Sequence, residues 1–360
     1  MSGRAAGKRR QVPRSSVTIQ DVADRAGVST ATVSRALMTP DRVRAETREQ
    51  VLQAVAATGY TPNRAARSLR ARKAMMAMVI VPNVGNPFFS EVLRGIDAAL
   101  SENGYGLIIG NLDNSHARER HFVDLAFAGQ VDGVLLMNGW MPVKDDRQLQ
   151  DAGVPIVSVG TNVIETEVPM IIVQNREASE EIACHLTGLG HRRLGYISGP
   201  LGNWVDAQRW QGYREGAAAT GLDPDSIVRW GGRFDFRAGS AAGAAFLAMA
   251  PAQRPTGVFA ASDEIAIGFL KVVRSAGVRV PEDVSVVGFD GIEYADYCEP
   301  TLTTVHQPRH ELGRAGAMVL LRMLDQPAWQ PPMRTDLKAK LIVRDSTGPA
   351  PAAAGSADRR

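Results

Sequence analysis

The sequence predicts an α/β protein with an N-terminal all-α head, which carries a helix-turn-helix, and a two-lobed, doubly wound body. Residues 17–61 contain three short amphipathic helix patterns in a basic segment, whereas residues 75–345 alternate apolar strand patterns with longer helix patterns. A break near residues 170–176 divides the second region into two similar halves. The chain has 360 residues, which is enough for two or three domains with their own cores.

The composition favours a cytoplasmic protein. Hydrophobic residues make up 44% of the chain and charged residues 22%, which is ordinary for a soluble protein. The two cysteines, Cys184 and Cys298, lie far apart and form neither a metal-binding nor a disulfide pattern. No apolar run reaches the roughly 18 residues of a membrane span. Residues 1–16 are basic but lack the apolar segment of a signal peptide, so we predict a disordered leader.

Charge is distributed unevenly along the chain. Residues 1–73 contain 15 Lys and Arg against 5 Asp and Glu, whereas the remainder contains 26 against 33. The net charge of +3 therefore conceals a head of +10 and a body of −7. A basic head on an acidic body indicates that the head meets a polyanion. A basic tail that only improves solubility is the alternative, although the charge continues into a patterned region.

The helices of the head are predicted from their caps and their apolar spacing. Thr18 can cap a helix that begins at Ile19, and Gly27 permits the positive φ of the tight turn after it. Ser29 can then cap a second helix over residues 30–37. A third helix is predicted over residues 45–58. The inward positions are Val33, Ala36 and Leu37 on the second helix, and Val51, Leu52 and Val55 on the third.

The outward face of the second helix indicates contact with DNA. Small side chains let a helix enter the major groove, which is about 12 Å wide, and Arg35 can reach guanine O6 and N7. A three-helix bundle with a polar face is the alternative. The candidate DNA contacts in the head are Thr18, Ser29, Thr30, Ala31, Thr32, Ser34 and Arg35.

Residues 62–74 are predicted to form a hinge helix or linker. Pro62 is placed as a helix starter, and four arginines surround the apolar Leu69. A helix so short and charged is unstable alone in water, and an exposed Leu69 suits a wedge between base steps in the minor groove. A solvated linker with an incidental leucine is the alternative. The candidate DNA contacts here are Asn63, Arg67, Leu69 and Arg70.

The body is predicted to contain about four strand–helix units in each half. Alternating units of this kind imply parallel sheets. Helix patterns cover residues 89–103 and 263–276, and each is followed by a glycine suited to a C-cap, Gly104 and Gly277. Strands are predicted over residues 76–81, 106–110, 133–137 and 156–159, and then over residues 193–197, 227–230, 257–260 and 285–288.

Together these motifs resemble the lactose/galactose repressor family of bacterial transcription regulators. The resemblance rests on "TIQDVADRAGVSTATVSRAL", "GYTPNRAARSL", "NPFFSEVLRGID", "GHRRLGYISGP", "RPTGVFAASDEIAIG", "RVPEDVSVVGFDGIEYADY" and "PTLTTVHQP", and it extends from about residue 17 to 345. The chain is most similar to the cytidine-responsive members. The resemblance implies a periplasmic-binding-protein-like body, a palindromic operator bound by a dimer, and a small effector in the cleft between the lobes.

Candidate effector residues follow strand ends, where ligands of such sheets bind. Asp290 and Asp263 end or follow strands and can accept hydrogen bonds from sugar hydroxyls, although Asp263 can instead cap the helix after it. The resemblance implies that the forked guanidinium of Arg209 donates hydrogen bonds to sugar oxygens. It also implies that one ring of the Phe88–Phe89 pair contacts the ligand. A surface ion pair and core packing are the respective alternatives. The full set is Phe88, Phe89, Thr161, Asn203, Trp204, Arg209, Phe234, Asp263 and Asp290.

The identity of the effector cannot be inferred from any one family member. This chain has Gly160 and Thr161 where sugar-responsive members often carry Asp, and Gln174 where Asp is common. The pattern of purine-responsive members is absent near Asn203. An aromatic wall beside polar groups favours a nucleoside, with a pentose or hexose as the second candidate. The sign of the effector's action on DNA binding stays open.

No motif indicates an enzyme, a cofactor or a metal site, since dinucleotide, phosphate-binding and esterase signatures are absent. A two-lobed sugar-binding protein or an enzyme without specific DNA binding is the alternative class. We expect a dimer, because a helix-turn-helix reads only a few base pairs. Candidate interface residues are Phe89, Val92, Leu93 and Ile96 and the helix over residues 318–324. Residues 346–360, rich in Pro, Gly and Ser, are predicted to be a disordered tail.

Overall fold

The structure is a computed structural model that describes residues 17–38, 40–60, 73–113, 115–164 and 166–352. The chain divides into two compact units, Met1–Arg72 and Lys73–Arg360. The predicted leader over residues 1–16 and most of the predicted hinge over residues 62–74 lie outside the described residues.

The described residues of the first unit form the three helices that the sequence predicts there: α1 (Ile19–Ala26), α2 (Thr30–Met38) and α3 (Ala45–Thr58), with a short 3₁₀ turn at Pro40–Arg42. Thr18 forms a capping box with Asp21, whose Oδ2 accepts from the Thr18 N–H at 2.7 Å. Gly27 ends α1 with φ of 65°. The predicted caps and the left-handed turn are therefore confirmed.

The core of the head differs from the prediction at one position. Val22, Val33 and Val51 are fully buried, but Leu52 is 41% exposed. Ala54 is buried in its place, because positions three and four residues apart share one face of a helix.

The second unit consists of two lobes, each built on a six-stranded sheet. The strands of lobe 1 are β1 (Met76–Val81), β2 (Gly106–Asn111), β3 (Gly133–Leu136), β6 (Ile156–Val159), β7 (Met170–Val173) and β13 (Arg334–Leu337). Their order across the sheet is β13-β7-β6-β3-β1-β2, and all their pairings are parallel. A separate two-stranded hairpin comprises β4 (Val143–Lys144) and β5 (Arg147–Gln148).

The strands of lobe 2 are β8 (Leu194–Ile197), β9 (Val228–Trp230), β10 (Gly257–Ala260), β11 (Ser285–Asp290), β12 (Thr303–His306) and β14 (Lys340–Ile342). Their order is β14-β12-β11-β10-β8-β9, which repeats the winding of lobe 1, and all pairings are parallel except that of β14 with β12. The body helices are α4 (Pro87–Glu102), α5 (Glu119–Phe127), α6 (Asn175–Gly188), α7 (Trp204–Ala219), α8 (Phe236–Ala248), α9 (Asp263–Ser275), α10 (Tyr294–Tyr297) and α11 (Arg309–Asp325). In each sheet the direction of winding reverses at the first strand, β1 or β8, which is where ligands of such sheets bind.

The division into lobes is less simple than two consecutive halves. The predicted break at residues 170–176 contains β7, which belongs to lobe 1, and the described chain later returns to lobe 1 through α11 and β13. The helix α11 packs closely on α4 at Gly95. A Cβ atom added to Gly95 would lie only 2.0 Å from the carbonyl oxygen of His310, so no larger residue fits there. The strands β7, β12, β13 and β14 were not predicted.

Two further expectations need correction. Val92 and Ile96 are fully buried in the core of lobe 1, so these two residues are not available to a dimer interface. The tail is ordered beyond residue 345, because Ser346 donates to the carbonyl oxygen of Val286 at 2.6 Å and the Ala350 N–H donates to Leu189. Residues 346–350 are thus held on lobe 2.

Candidate functional site

A cavity of about 490 Å³ lies between the two lobes at the carboxyl ends of their central strands. Eight of the nine predicted effector residues line it: Phe88, Phe89, Thr161, Asn203, Trp204, Arg209, Phe234 and Asp290. A larger groove of about 750 Å³ lies on lobe 1 beside Tyr105 and Trp329 and contains none of them. The cleft combines convergent polar groups with aromatic walls, as ligand sites do, and is the candidate site.

Arg209 forms the centre of the polar wall on lobe 2. It extends from α7, is 4% exposed, and donates from Nε to Asn175 Oδ1 at 2.9 Å and from Nη1 to the carbonyl oxygen of Ala261. Its Nη1 lies 3.5 Å from Asp290 Oδ1, and its guanidinium carbon lies 3.7 Å from the ring centroid of Phe289. Arg209 is therefore a buried, fixed donor, and the surface ion pair is excluded.

Asp290 ends β11 and faces the cavity. Gln307 Nε2 donates to its Oδ1 at 2.7 Å. Burial raises the pKa of Asp290, and the positive charge of Arg209 opposes that shift. Its backbone has φ of 122°, a conformation that side-chain-bearing residues rarely adopt, so the chain is strained where the carboxylate enters the site.

Asp263 is the predicted effector residue that the structure does not bring to the cavity. It is fully buried within lobe 2, where Oδ2 accepts from the Ile292 N–H at 2.8 Å and Oδ1 accepts from the Thr304 hydroxyl. Burial and the nearby Asp290 raise its pKa. The cap of α9 is Ser262, which accepts from the Ile265 N–H, so Asp263 does not cap the helix and instead binds strand β12 and the turn after β11.

The wall on lobe 1 contains residues that the sequence analysis missed. Asn138 follows β3 and is 4% exposed; its Nδ2 donates to the carbonyl oxygen of Trp140 at 2.7 Å. Its Oδ1, buried at the cavity, has no hydrogen-bond partner among the described residues. A buried acceptor without a partner costs about 1–3 kcal/mol, which a ligand donor would recover. The rule applied to Asp290, that polar residues after strand ends line the site, would have found Asn138.

Trp140 gives this wall a fixed aromatic ring. Its indole N–H donates to Glu119 Oε1 at 2.6 Å, and the His116 ring lies 4.7 Å from it between centroids. Glu119 is 3% exposed and also accepts from the Val143 N–H at 3.1 Å. Both Trp140 and His116 line the cavity, so lobe 1 presents an aromatic plane next to the free acceptor of Asn138.

Apart from Thr18, the predicted DNA contacts of the head lie at the start of α2 and on its outward face. Ala31 and Arg35 are exposed, and Arg35 Nε donates to the Ala31 carbonyl oxygen at 3.2 Å. Ser29 accepts from the Thr32 N–H at 3.1 Å and caps the helix. Thr30, Thr32 and Ser34 are half-buried, and Thr18 is exposed at the cap of α1. Asn63, Arg67, Leu69 and Arg70 lie outside the described residues.

No helix in the described ranges is long and apolar enough to cross a membrane. No group of three or more His, Cys, Asp or Glu side chains in those ranges is placed to hold a metal ion.

Each of the two units of the chain matches a known protein family. Residues 18–63 match the family described as bacterial regulatory proteins, lacI family, and residues 183–347 match a periplasmic binding protein-like domain. The HTH-type transcriptional repressor CytR of Escherichia coli strain K12 is 38% identical over 332 residues, which is 92% of this chain and 96% of that protein.

Two solved structures extend the similarity to the whole fold. A transcriptional regulator CelR–cellobiose complex matches 92% of this chain and 99% of its own, with 33% identity and a TM-score of 0.68. The Lac repressor dimer bound to operator and the anti-inducer ONPF matches 92% and 99%, with 26% identity and a TM-score of 0.79.

Proposed function

This chain belongs to the lacI family of bacterial regulatory proteins, and from that premise we propose that it represses transcription as a dimer on a two-fold symmetric operator and senses a nucleoside in its cleft. It is a DNA-binding transcription regulator, and the proteins that it resembles are regulators rather than enzymes. A regulator of this kind acts where the DNA is, so we place it in the cytoplasm. The alternative of a sugar-binding protein without specific DNA binding does not account for the head.

The exposed face of α2 supports the role of the head. Ala31 and Arg35 lie on that face, one turn apart, so a helix in the major groove would present a small residue and a guanidinium to the base edges. The Ser29 hydroxyl accepts from the Thr32 N–H and can still donate its hydrogen to a phosphate at the start of α2, whereas the Thr18 hydroxyl donates to Asp21 and would have to leave it to contact a phosphate. The candidate contacts at Asn63, Arg67, Leu69 and Arg70 remain a proposal from the sequence.

The observation that carries the nucleoside proposal is the chemistry of the two cleft walls. Arg209 and Asp290 offer a fixed donor and acceptors to the hydroxyls of a sugar. Across the cavity, Asn138 Oδ1 lacks a donor and lies beside the aromatic plane of Trp140. A nucleoside carries both a hydroxylated ring and a flat heteroaromatic ring with N–H donors. A free pentose or hexose is the second candidate, and the cellobiose bound by the CelR relative favours it.

A thermal-shift screen of the full chain tests the ligand. Because a ligand that binds only the native state raises its apparent stability, cytidine, uridine or adenosine should raise the Tm, whereas ribose, glucose and cellobiose should not. Asp290→Asn should abolish the shift, and Asp97→Asn, an exposed carboxylate outside the cleft, should preserve it. A shift with a sugar but with no nucleoside would replace the first candidate by the second.

Selection of binding sites from random DNA tests the head. The full chain should recover a symmetric sequence, and Arg35→Ala should relax the preference at one base pair in each half-site by about 1–3 kcal/mol. An equal loss across all sequences would make Arg35 a phosphate contact.

Light scattering tests the dimer and should give twice the chain mass of 38.7 kDa. A monomer at micromolar concentration would contradict the dimer.

A further inference from the structure

We propose that Asn86 and Glu264 form a contact that joins the two lobes at the mouth of the cleft, and that closing the lobes is coupled to protonation of Glu264. This inference rests on the proposed function only in taking lobe closure as the event that an effector controls.

The geometry of Asn86 fixes which of its atoms faces lobe 2. Asn86 caps α4 in lobe 1, and its Oδ1 accepts from the Phe88 N–H at 2.8 Å. The amide nitrogen therefore points away from the helix, and it donates to Glu264 Oε2 on lobe 2 at 2.8 Å. A carboxyl group accepts this bond whether it is ionised or neutral, so the contact persists when Glu264 binds a proton.

The surroundings of Glu264 disfavour its charge when the lobes touch. Glu264 is 7% exposed on the first turn of α9. The charged groups that face it are Asp290 at the end of β11 and Asp235 at the cap of α8. The nearby cations are already engaged, Arg209 with Asp290 and Arg233 with Asp235 at 3.3 Å. The facing segment of lobe 1, residues 82–89, reads PNVGNPFF and has no ionisable side chain.

These surroundings set the direction of the coupling. Burial, and then the charges of Asp290 and Asp235, raise the pKa of Glu264 from 4.5 to about 7. Separating the lobes returns water to the carboxyl group and lowers its pKa, while Asp290 and Asp235, which belong to the same lobe, stay beside it. The contribution of this proton to closure is therefore complete below the pKa of the open form and is lost as the pH rises through about 7. The ratio of closed to open molecules should therefore fall several-fold, and at most about tenfold, between pH 6 and pH 8.

Asp263 does not share this coupling although its pKa is also raised. Its hydrogen-bond partners, Thr304 and Ile292, both belong to lobe 2, so its surroundings do not change when the lobes separate. Glu264 differs because one of its partners belongs to the other lobe.

Distances between spin labels on the two lobes test the proposal. Labels attached through D146C in lobe 1 and E282C in lobe 2, in a full-length C184S/C298S background, report the separation of the lobes. No DNA and no effector is added, so the result is independent of the operator and nucleoside experiments. The short-distance population should fall several-fold, and at most about tenfold, relative to the long one between pH 6 and pH 8.

Three variants make the test specific. Glu264→Gln keeps the shape and an acceptor oxygen but cannot ionise, so the closed population should stay high at both pH values. Glu293→Gln, an exposed glutamate on the same lobe, should retain the full pH dependence. Asn86→Ser keeps a capping hydroxyl but is too short to reach Glu264, so it should lower the closed population at pH 6. An unchanged pH dependence in Glu264→Gln, or an unchanged closed population in Asn86→Ser, would overturn the proposal.

Discussion

The two lobes line one cleft, but the wall that each lobe contributes has a different chemistry. Lobe 2 contributes a buried charged pair, Arg209 and Asp290, held by hydrogen bonds from within that lobe. Lobe 1 contributes mainly neutral groups, with Asn138 beside the fixed ring of Trp140. Because the two sheets share one strand order, the fold positions both walls alike, and the residues after the strand ends decide what each wall binds.

The largest effect is expected when the buried cation of lobe 2 is removed. Arg209→Met leaves Asp290 buried without its charged partner, so we expect a loss of about 3–5 kcal/mol in the free energy of unfolding and no nucleoside binding. Denaturant unfolding of the full chain measures the first effect. Adding Asp290→Asn should recover part of the stability, because the unpaired charge is then gone.

A matched control separates burial from charge. Arg176→Met removes an exposed arginine of the same lobe that pairs with Glu215, and it should change stability little, since exposed ion pairs contribute little. Equal losses in the two arginine variants would mean that the buried pair has no special role.

A smaller effect concerns pH and is confined to lobe 2. The folded-state pKa of Asp263 is raised above its usual value, so its stabilising contribution is present at low pH and is lost as the pH rises through the folded value. The Tm of the protein should therefore fall from pH 6 to pH 9, and Asp263→Asn should reduce that fall. Asp97→Asn in lobe 1 should leave it unchanged. A fall of the same size in Asp263→Asn would contradict this assignment.

The smallest effect is expected from the neutral wall. Asn138→Ala removes an acceptor that has no partner among the described residues, so it should weaken nucleoside binding by about 1 kcal/mol. Loss of the hydrogen bond from Nδ2 to Trp140 and relief of the unpaired acceptor oppose each other, so stability should change little. Isothermal titration measures the affinity, and Asn162→Ala, whose side chain does not line the cavity, is the control. Unchanged affinity in Asn138→Ala would show that the ligand does not reach lobe 1 at this point.

Elements with strong local signals were predicted from the sequence. The caps of α1 and α2 involve residues three apart, and strands β1, β3 and β10 are continuous apolar runs, as buried parallel strands are. Strand ends also pointed to Asp290, and eight of nine proposed effector residues line one cavity. Such features depend on a few neighbouring residues, which the sequence displays directly.

The missed features depend on segments that are far apart in the chain. The short edge strands β13 and β14 carry no continuous apolar run, and pairing with β7 and β12 defines them. Asp263 has the same sequence context as Asp290, after a buried strand, yet its carboxylate turns into lobe 2 because Thr304 and Ile292 offer donors there.

By itself, the sequence determined the helix-turn-helix, the alternating body and the residue types at the strand ends, because caps and periodicity are local. Only the tertiary structure decided which lobe each late segment joins, which carboxylate reaches the cleft, and that Asn86 meets Glu264. These outcomes depend on packing and on hydrogen-bond partners that are 29 to 178 residues away, and no local pattern encodes them.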